Sequence, residues 1–161
     1  MYDIGIVLKF LEAIYMNIRV IERCHKETEE TLAVEGVEFL QQPISFLKNQ
    51  QEQFIYIEAE EFANTKMDAV VLEFDETFQV YTALFGLKLQ KKVSQDLKVY
   101  LRDHLKGMLG SSSAMFNGTE GLWEVNIALD AIEIFSGQET IEQSIALLVQ
   151  FMEQLLKEVA V

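Results

Sequence analysis

The residues that could perform nucleophilic or acid–base chemistry are few in this chain of 161 residues, and their spacing does not bring them together. Cys24 and His25 are adjacent, but neighbouring side chains point about 100° apart on a helix and to opposite faces on a strand. The pair therefore does not form a nucleophile–base dyad. His104 falls beside an apolar helical stripe, without a third group placed to orient it. We predict no catalytic residue and a protein that is not an enzyme.

Metal and cofactor sites also lack their usual sequence patterns. One cysteine and two histidines do not make a structural zinc site without carboxylates. The acidic segments 58–61 and 75–76 lack the spacing and the central glycine of a calcium loop. Residues 107–110 begin and end with glycine, but no lysine follows, as it would in a phosphate-binding loop. We predict neither a metal nor a cofactor.

The charge of the chain narrows the choice of partner. The formal net charge is −13, from 26 acidic and 13 basic residues. Such a surface repels nucleic-acid phosphates and anionic lipid headgroups, so we predict no nucleic-acid partner and no membrane partner. It suits a basic protein partner, although the same charge also serves solubility alone. The apolar stretch from Ile4 to Ile21 contains Lys9, Glu12 and Arg19, a pattern unlike that of a transmembrane span.

Cysteine usage and the first residues favour a cytoplasmic location. The single cysteine, Cys24, allows no intramolecular disulfide, which fits a reducing compartment. The sequence opens with Met1-Tyr2-Asp3 and lacks the basic segment that begins a secretory signal.

We predict one globular domain over residues 1–161, because the length suits a single domain, half of the residues are hydrophobic and there is only one proline. Apolar residues recur at helical spacing from Ile4 to Ile21, and we expect one helix there; a strand that begins at Ile18 is the alternative. Residues 25–36 are polar and acidic, as in a solvated helix end followed by a turn. A short helix is expected after Pro43.

Four later segments are β-branched, aromatic or alternating, and they predict strands at 54–57, 70–74, 78–84 and 123–130. Residues 75–77 would form a hairpin loop, and residues 110–121 a longer loop. Trp123 shares the apolar side of its strand with Val125 and Ile127, so we expect it in the core. A helix is expected over 93–109. The order of elements predicts an α+β fold, in which an antiparallel sheet of about four or more strands packs against N-terminal, middle and C-terminal helices.

The last helix carries the clearest signals. Ser136 followed by Glu139 predicts a capping box at its start. Its apolar face is wider than the stripe that one small sheet buries. We therefore predict a partner or homodimer interface on this helix, with a helix buried centrally in the monomer as the alternative. The residues predicted for the interface are Ile141, Ile145, Leu147, Leu148, Phe151, Met152 and Leu155.

In size, charge and element order the chain is similar to the small acidic chaperones of bacterial secretion systems. The similarity implies a protein that binds and escorts another protein. One alternative is an immunity-type inhibitor that covers the active site of a basic nuclease toxin. Another is a small enzyme or ligand binder that uses carboxylates in a sheet pocket lined by Tyr56, Tyr81 and Trp123.

Overall fold

A computed structural model describes residues 17–106 and 112–159, which form a seven-stranded sheet packed against helices. The strands are β1 (Ile18–His25), β2 (Thr31–Val34), β3 (Gln53–Ala59), β4 (Met67–Asp75), β5 (Val80–Leu87), β6 (Ser113–Asn117) and β7 (Leu122–Ala128). The described α-helices are α1 (Ser45–Asn49), α2 (Ser94–His104) and α3 (Ile141–Val159). The strands are ordered β2-β1-β3-β4-β5-β7-β6, and all neighbours are antiparallel. The predicted α+β class is confirmed.

One face of the sheet carries the core, because alternate residues of each strand point to the same side. Paired residues across the strands share that side, as in the series Ile21, Ile57 and Val70. These side chains are buried in one cluster together with α3. Their opposite neighbours, such as Glu22, Tyr56 and Val71, point away from this cluster. We call the side they occupy the outer face.

The predicted central strands are confirmed, with one shifted start and one shifted end. Residues 54–57 and 70–74 fall within β3 and β4, whereas β5 begins at Val80 and not at residue 78. The strand predicted over 123–130 is β7, which ends at Ala128, and Leu129–Ala131 form a 3-10 helix. The β4–β5 turn forms without the glycine typical of hairpins. Asp75 Oδ1 accepts the N–H groups of Thr77 and Phe78 at 2.8 and 3.0 Å, and Gln79 adopts a left-handed φ of 56°. The carboxylate thus stabilises a turn that extends to Gln79.

The prediction of one N-terminal helix through Ile21 is wrong from Ile18 onward, where β1 begins. Its earlier part lies outside the described residues. β-Branched Ile18, Val20 and Ile21 favour extended backbone, and Ile21 pairs with Ile57 in the sheet. Arg23 interrupts the apolar alternation of β1; it is half-buried and donates to Glu35 and Gln53.

The two edge strands, β2 and β6, lie where the sequence predicted a turn and a loop, and both predictions are wrong there. β2 lies inside the acidic segment 25–36, and β6 lies inside the predicted loop 110–121. They have four and five residues. An end strand has a neighbour on one side only and can be short and half-exposed, so its sequence carries little alternation. The short helix after Pro43 is confirmed as α1, and α2 ends at His104, before the predicted residue 109.

The start of α3 is set by a capping box four residues later than predicted. Ser136 and Glu139 do interact, but they close a turn in which the buried Glu139 carboxylate accepts the N–H groups of Ser136 and Gly137. The reciprocal cap is formed by Thr140 and Gln143: Gln143 Oε1 accepts the Thr140 N–H at 3.0 Å, and Thr140 Oγ1 accepts the Gln143 N–H at 3.1 Å. The helix therefore begins at Ile141.

Thr140→Ala is expected to lower the free energy of unfolding by about 1 kcal/mol, because it leaves a helical N–H without its acceptor. Ser136→Ala removes the hydroxyl's bonds to Glu139 and from the Gln138 N–H, but it keeps the backbone bonds from Ser136 and Gly137 to Glu139. It should cost less, because Gln138 is exposed and water can replace the lost acceptor. Urea unfolding of both variants tests the assignment. A larger loss for Ser136→Ala would place the functional cap at Ser136.

Candidate protein-binding site

The structure keeps the candidate catalytic side chains apart. Cys24 and His25 lie on one strand and point to opposite faces. Cys24 is buried, and this burial is the main cause that raises the pKa of its thiol above the ordinary value. The reactive thiolate is therefore disfavoured. His104 stacks on Tyr100 at a ring distance of 3.8 Å, and its Nδ1 lies 2.9 Å from the Tyr100 carbonyl oxygen. The imidazole thus packs on the residue one turn earlier in α2.

The three aromatic residues predicted to line a ligand pocket do not meet. Tyr81 and Trp123 lie on the core face, whereas Tyr56 lies on the outer face. There the Tyr56 hydroxyl donates to Glu58 at 2.6 Å, and this bond is the main cause that raises its pKa to about 12. Trp123 is 2% exposed, which confirms its place in the core.

Carboxylates do gather in a cleft of about 440 Å³ at one end of the sheet, where the β1–β2 turn, the start of β3 and the β4–β5 turn meet. The acidic residues of this acidic cleft are Glu27, Glu52, Glu73, Asp75 and Glu76, and Lys26 and His25 also line it. Across residues 17–106 and 112–159, no three histidine, cysteine or acidic side chains are grouped as metal ligands. No helix in the same ranges is long and apolar enough to cross a membrane.

Glu73 is the carboxylate of the acidic cleft whose protonation the fold perturbs. Burial is the main cause that raises its pKa; nearby Lys26 lowers it and Asp75 raises it further. An acid whose pKa is raised on folding opposes folding while it is ionised. This opposition is present above the raised pKa and disappears below the ordinary value of 4.5.

Glu73→Gln is therefore expected to raise the melting temperature at pH 7, and the gain should vanish near about pH 4. Glu76→Gln removes an exposed carboxylate from the same cleft and serves as the control. Calorimetry at both pH values makes the comparison. Equal gains from the two substitutions would show that net charge, not the burial of Glu73, is responsible.

Most of the residues predicted for an interface on the last helix are buried in the core of the same chain. Each residue predicted there is at most 2% exposed, except half-buried Phe151. Phe151 and Leu147 line an open groove of about 240 Å³ between α2 and α3, together with Tyr100 and Ile134. The width of the apolar face is thus explained by burial, and the groove leaves part of it accessible at Phe151.

Large exposed apolar side chains are found instead on the two edge strands of the sheet, β2 and β6. In the described ranges, the large exposed hydrophobic residues are Leu32, Val34, Phe78 and Met115. Leu32 and Val34 belong to β2 and are 46% and 74% exposed, whereas Met115 of β6 is 70% exposed. An apolar edge strand is a template for pairing with another chain, which is why edge strands normally carry charged residues or are covered by a helix or loop.

The backbone of β2 is oriented for such pairing at Val34, whereas at Leu32 the β1–β2 register shifts between the pairs Arg23–Ala33 and Cys24–Thr31. Glu22 and Val34 are opposite each other, and the Glu35 N–H donates to the Ile21 carbonyl at 2.8 Å. In an antiparallel ladder this bond makes Glu22 and Val34 a non-hydrogen-bonded pair. The N–H and C=O of Val34 therefore point away from β1, toward the open side of the sheet. No described strand lies on that side.

Glutamates surround this apolar strand. Glu27, Glu29 and Glu30 precede β2, and Glu35 and Glu38 follow it. Arg23 binds Glu35 at 2.8 Å, but the other four are exposed and form no salt bridge with a described residue. We call β2 with these five glutamates the acidic edge. The signal in the sequence was a three-residue apolar run, Leu32-Ala33-Val34, enclosed by acidic residues, and it is too short to predict a strand by periodicity.

Comparison with known proteins adds no relative to this description. No protein family matches the chain, and neither the curated proteins nor the solved structures contain a significant match.

Proposed function

We propose that this protein is a non-enzymatic binding module that holds a protein partner, in the manner of a chaperone or escort, by adding an extended segment of the partner to β2. The observation that carries the proposal is the pair of exposed apolar side chains, Leu32 and Val34, on a strand whose outward backbone groups have no neighbour among the described strands. Strand addition to an open sheet end is a common mode of peptide recognition.

The energetic basis is the same as for any β-ladder. A bound segment would satisfy the outward N–H and C=O of Val34, and each net hydrogen bond contributes about 0.5–1.5 kcal/mol. Burial of Leu32 and Val34 adds about 25 cal/mol per Å² of apolar surface removed from water. Both contributions depend on a strand that is already ordered by β1, so little backbone entropy of the holder is lost.

β2 is favoured over β6, the other edge strand, as the binding strand because of its exposed side chains and the charge around it. Neither strand itself carries a charged residue. β6 exposes one large apolar side chain, Met115, and is followed by one glutamate, Glu120, in the turn to β7. β2 exposes two such side chains and is flanked by the five glutamates of the acidic edge. Charge of one sign accelerates the encounter with an oppositely charged partner. The acidic edge therefore combines apolar contact, open backbone and steering.

The experiment compares Val34→Lys with Met115→Lys. Each replaces an exposed apolar side chain of an end strand by lysine, so both variants should fold, and they differ in the end of the sheet that they alter. Tagged wild-type protein and both variants are used to capture partners from the cells that produce the protein. We expect a protein retained by wild type and by Met115→Lys, and lost with Val34→Lys. Equal retention by all three proteins would overturn the proposal.

The partner identified in this way also separates the kinds of holding protein. A chaperone or escort keeps its partner soluble or competent for export without blocking an activity, whereas an immunity-type inhibitor abolishes a catalytic activity of its partner. Assays of the partner's solubility and activity, with and without this protein, distinguish the two. Turnover of a small molecule by the purified chain alone would contradict both.

A further inference from the structure

We infer that the segment added to β2 is basic, with apolar residues at its centre and lysine or arginine toward its ends, and that it is not a second copy of this chain. This inference rests on the proposed function, because it specifies the partner of the same acidic edge.

Both ends of β2 carry uncompensated negative charge. Glu29 and Glu30 lie directly before the strand, and Glu38 lies four residues after it. A four-residue strand spans about 13 Å, which exceeds the Debye length of about 8 Å at physiological salt. The two ends therefore act as separate negative sites, and a single central cation on the partner would not neutralise both.

A second copy fits this distribution poorly. If two β2 strands paired antiparallel about a two-fold axis, the N-terminal end of one strand would lie beside the C-terminal end of the other. Glu30 of one copy would then approach Glu35 and Glu38 of its neighbour. Glu35 is compensated by Arg23, but Glu30 and Glu38 are not in any salt bridge with a described residue. Like charges opposite each other destabilise strand pairs.

The charge is also asymmetric along the strand. Glu27 of the β1–β2 turn belongs both to the acidic edge and to the acidic cleft, which adds Glu52 and Glu76 on the same side. Lys26 lines the same cleft, but more carboxylates lie before β2 than after it. A partner segment is expected to place its larger number of basic residues toward the β1–β2 turn.

The test uses three labelled peptides with one alternating apolar centre and with lysine, serine or glutamate at both ends, titrated with the full chain by fluorescence anisotropy. We expect the lysine peptide to bind at least about tenfold more tightly than the serine peptide, and the glutamate peptide to bind most weakly. The preference should shrink in high salt, where the charges are screened.

Variants assign the preference to the acidic edge. Glu29→Gln combined with Glu30→Gln should reduce the preference for lysine, whereas Glu133→Gln combined with Glu158→Gln removes two exposed charges that line the clefts beside α2 and α3 and should leave it unchanged. Val34→Pro removes an outward N–H and should abolish binding of all three peptides. Equal affinity for the three peptides, with binding still lost in Val34→Pro, would overturn the basic partner and leave strand addition intact. Binding that ignores Val34→Pro, or no binding of any peptide, would overturn both.

Discussion

Replacement of Trp123 by alanine is expected to lower the free energy of unfolding by about 3–5 kcal/mol. The indole is 2% exposed, its Nε1–H donates to the Gln90 carbonyl at 3.2 Å, and its ring meets that of Phe116 edge-on at 5.3 Å. Truncation would leave a large cavity and would remove the donor of the Gln90 carbonyl. Trp123 also joins three elements, since it lies on β7, contacts β6 and binds the segment before α2.

Met115→Ala on the adjacent strand is the matched control, because its side chain is 70% exposed. We expect it to change stability by less than about 0.5 kcal/mol. Chemical denaturation followed by far-ultraviolet circular dichroism measures both variants. A Trp123→Ala protein that unfolds at the same denaturant concentration as wild type would show that the indole is not part of the core.

Leu148→Ala in the middle of α3 should cost about 2–5 kcal/mol. Leu148 is fully buried, as are Ile145 and Met152 on the same helix. Gln154 is exposed on α3, and Gln154→Ala removes side-chain atoms without opening a cavity. The same denaturation experiment should separate the two variants clearly. A loss for Leu148→Ala no larger than that for Gln154→Ala would mean that α3 does not pack on the sheet as described.

A homodimer through α3 stays a prediction, and it now depends on the groove around Phe151. Light scattering of wild type at tens of micromolar, followed by Phe151→Glu, measures it. A dimeric parent that becomes a folded monomer would support association through the groove. A monomeric parent would contradict it, and that result leaves the acidic edge unaffected.

The sequence predicts those strands and helices that have the same face buried along their whole length. β7 alternates because one face is buried, and α3 keeps an apolar stripe over 19 residues because it is buried along its length. Periodicity reports such burial directly. The strand–turn–strand order of β4 and β5 followed from the same signal.

The candidate site was missed for a related physical reason. β2 is a four-residue strand whose side chains are mostly exposed, so burial imposes no alternation on it. Its extended conformation is set by β1, which the helical spacing from Ile14 to Ile21 concealed. The apolar face of α3 is wide because two 3-10 helices, Val37–Gln41 and Glu60–Thr65, and the sheet enclose it, with Leu40 and Phe62 in the same buried cluster. The sequence alone does not show these contacts.

The most direct test of strand addition is amide hydrogen exchange of the full chain, resolved residue by residue by NMR, with and without the lysine-flanked peptide. In the free protein the Val34 N–H points away from β1 and should exchange rapidly, whereas the Glu35 N–H is bonded to Ile21 and should exchange slowly. On binding, we expect strong slowing at Val34 with little change at Glu35. Slowing confined to α2 and α3, with Val34 still exchanging rapidly, would contradict strand addition and place the partner in the groove.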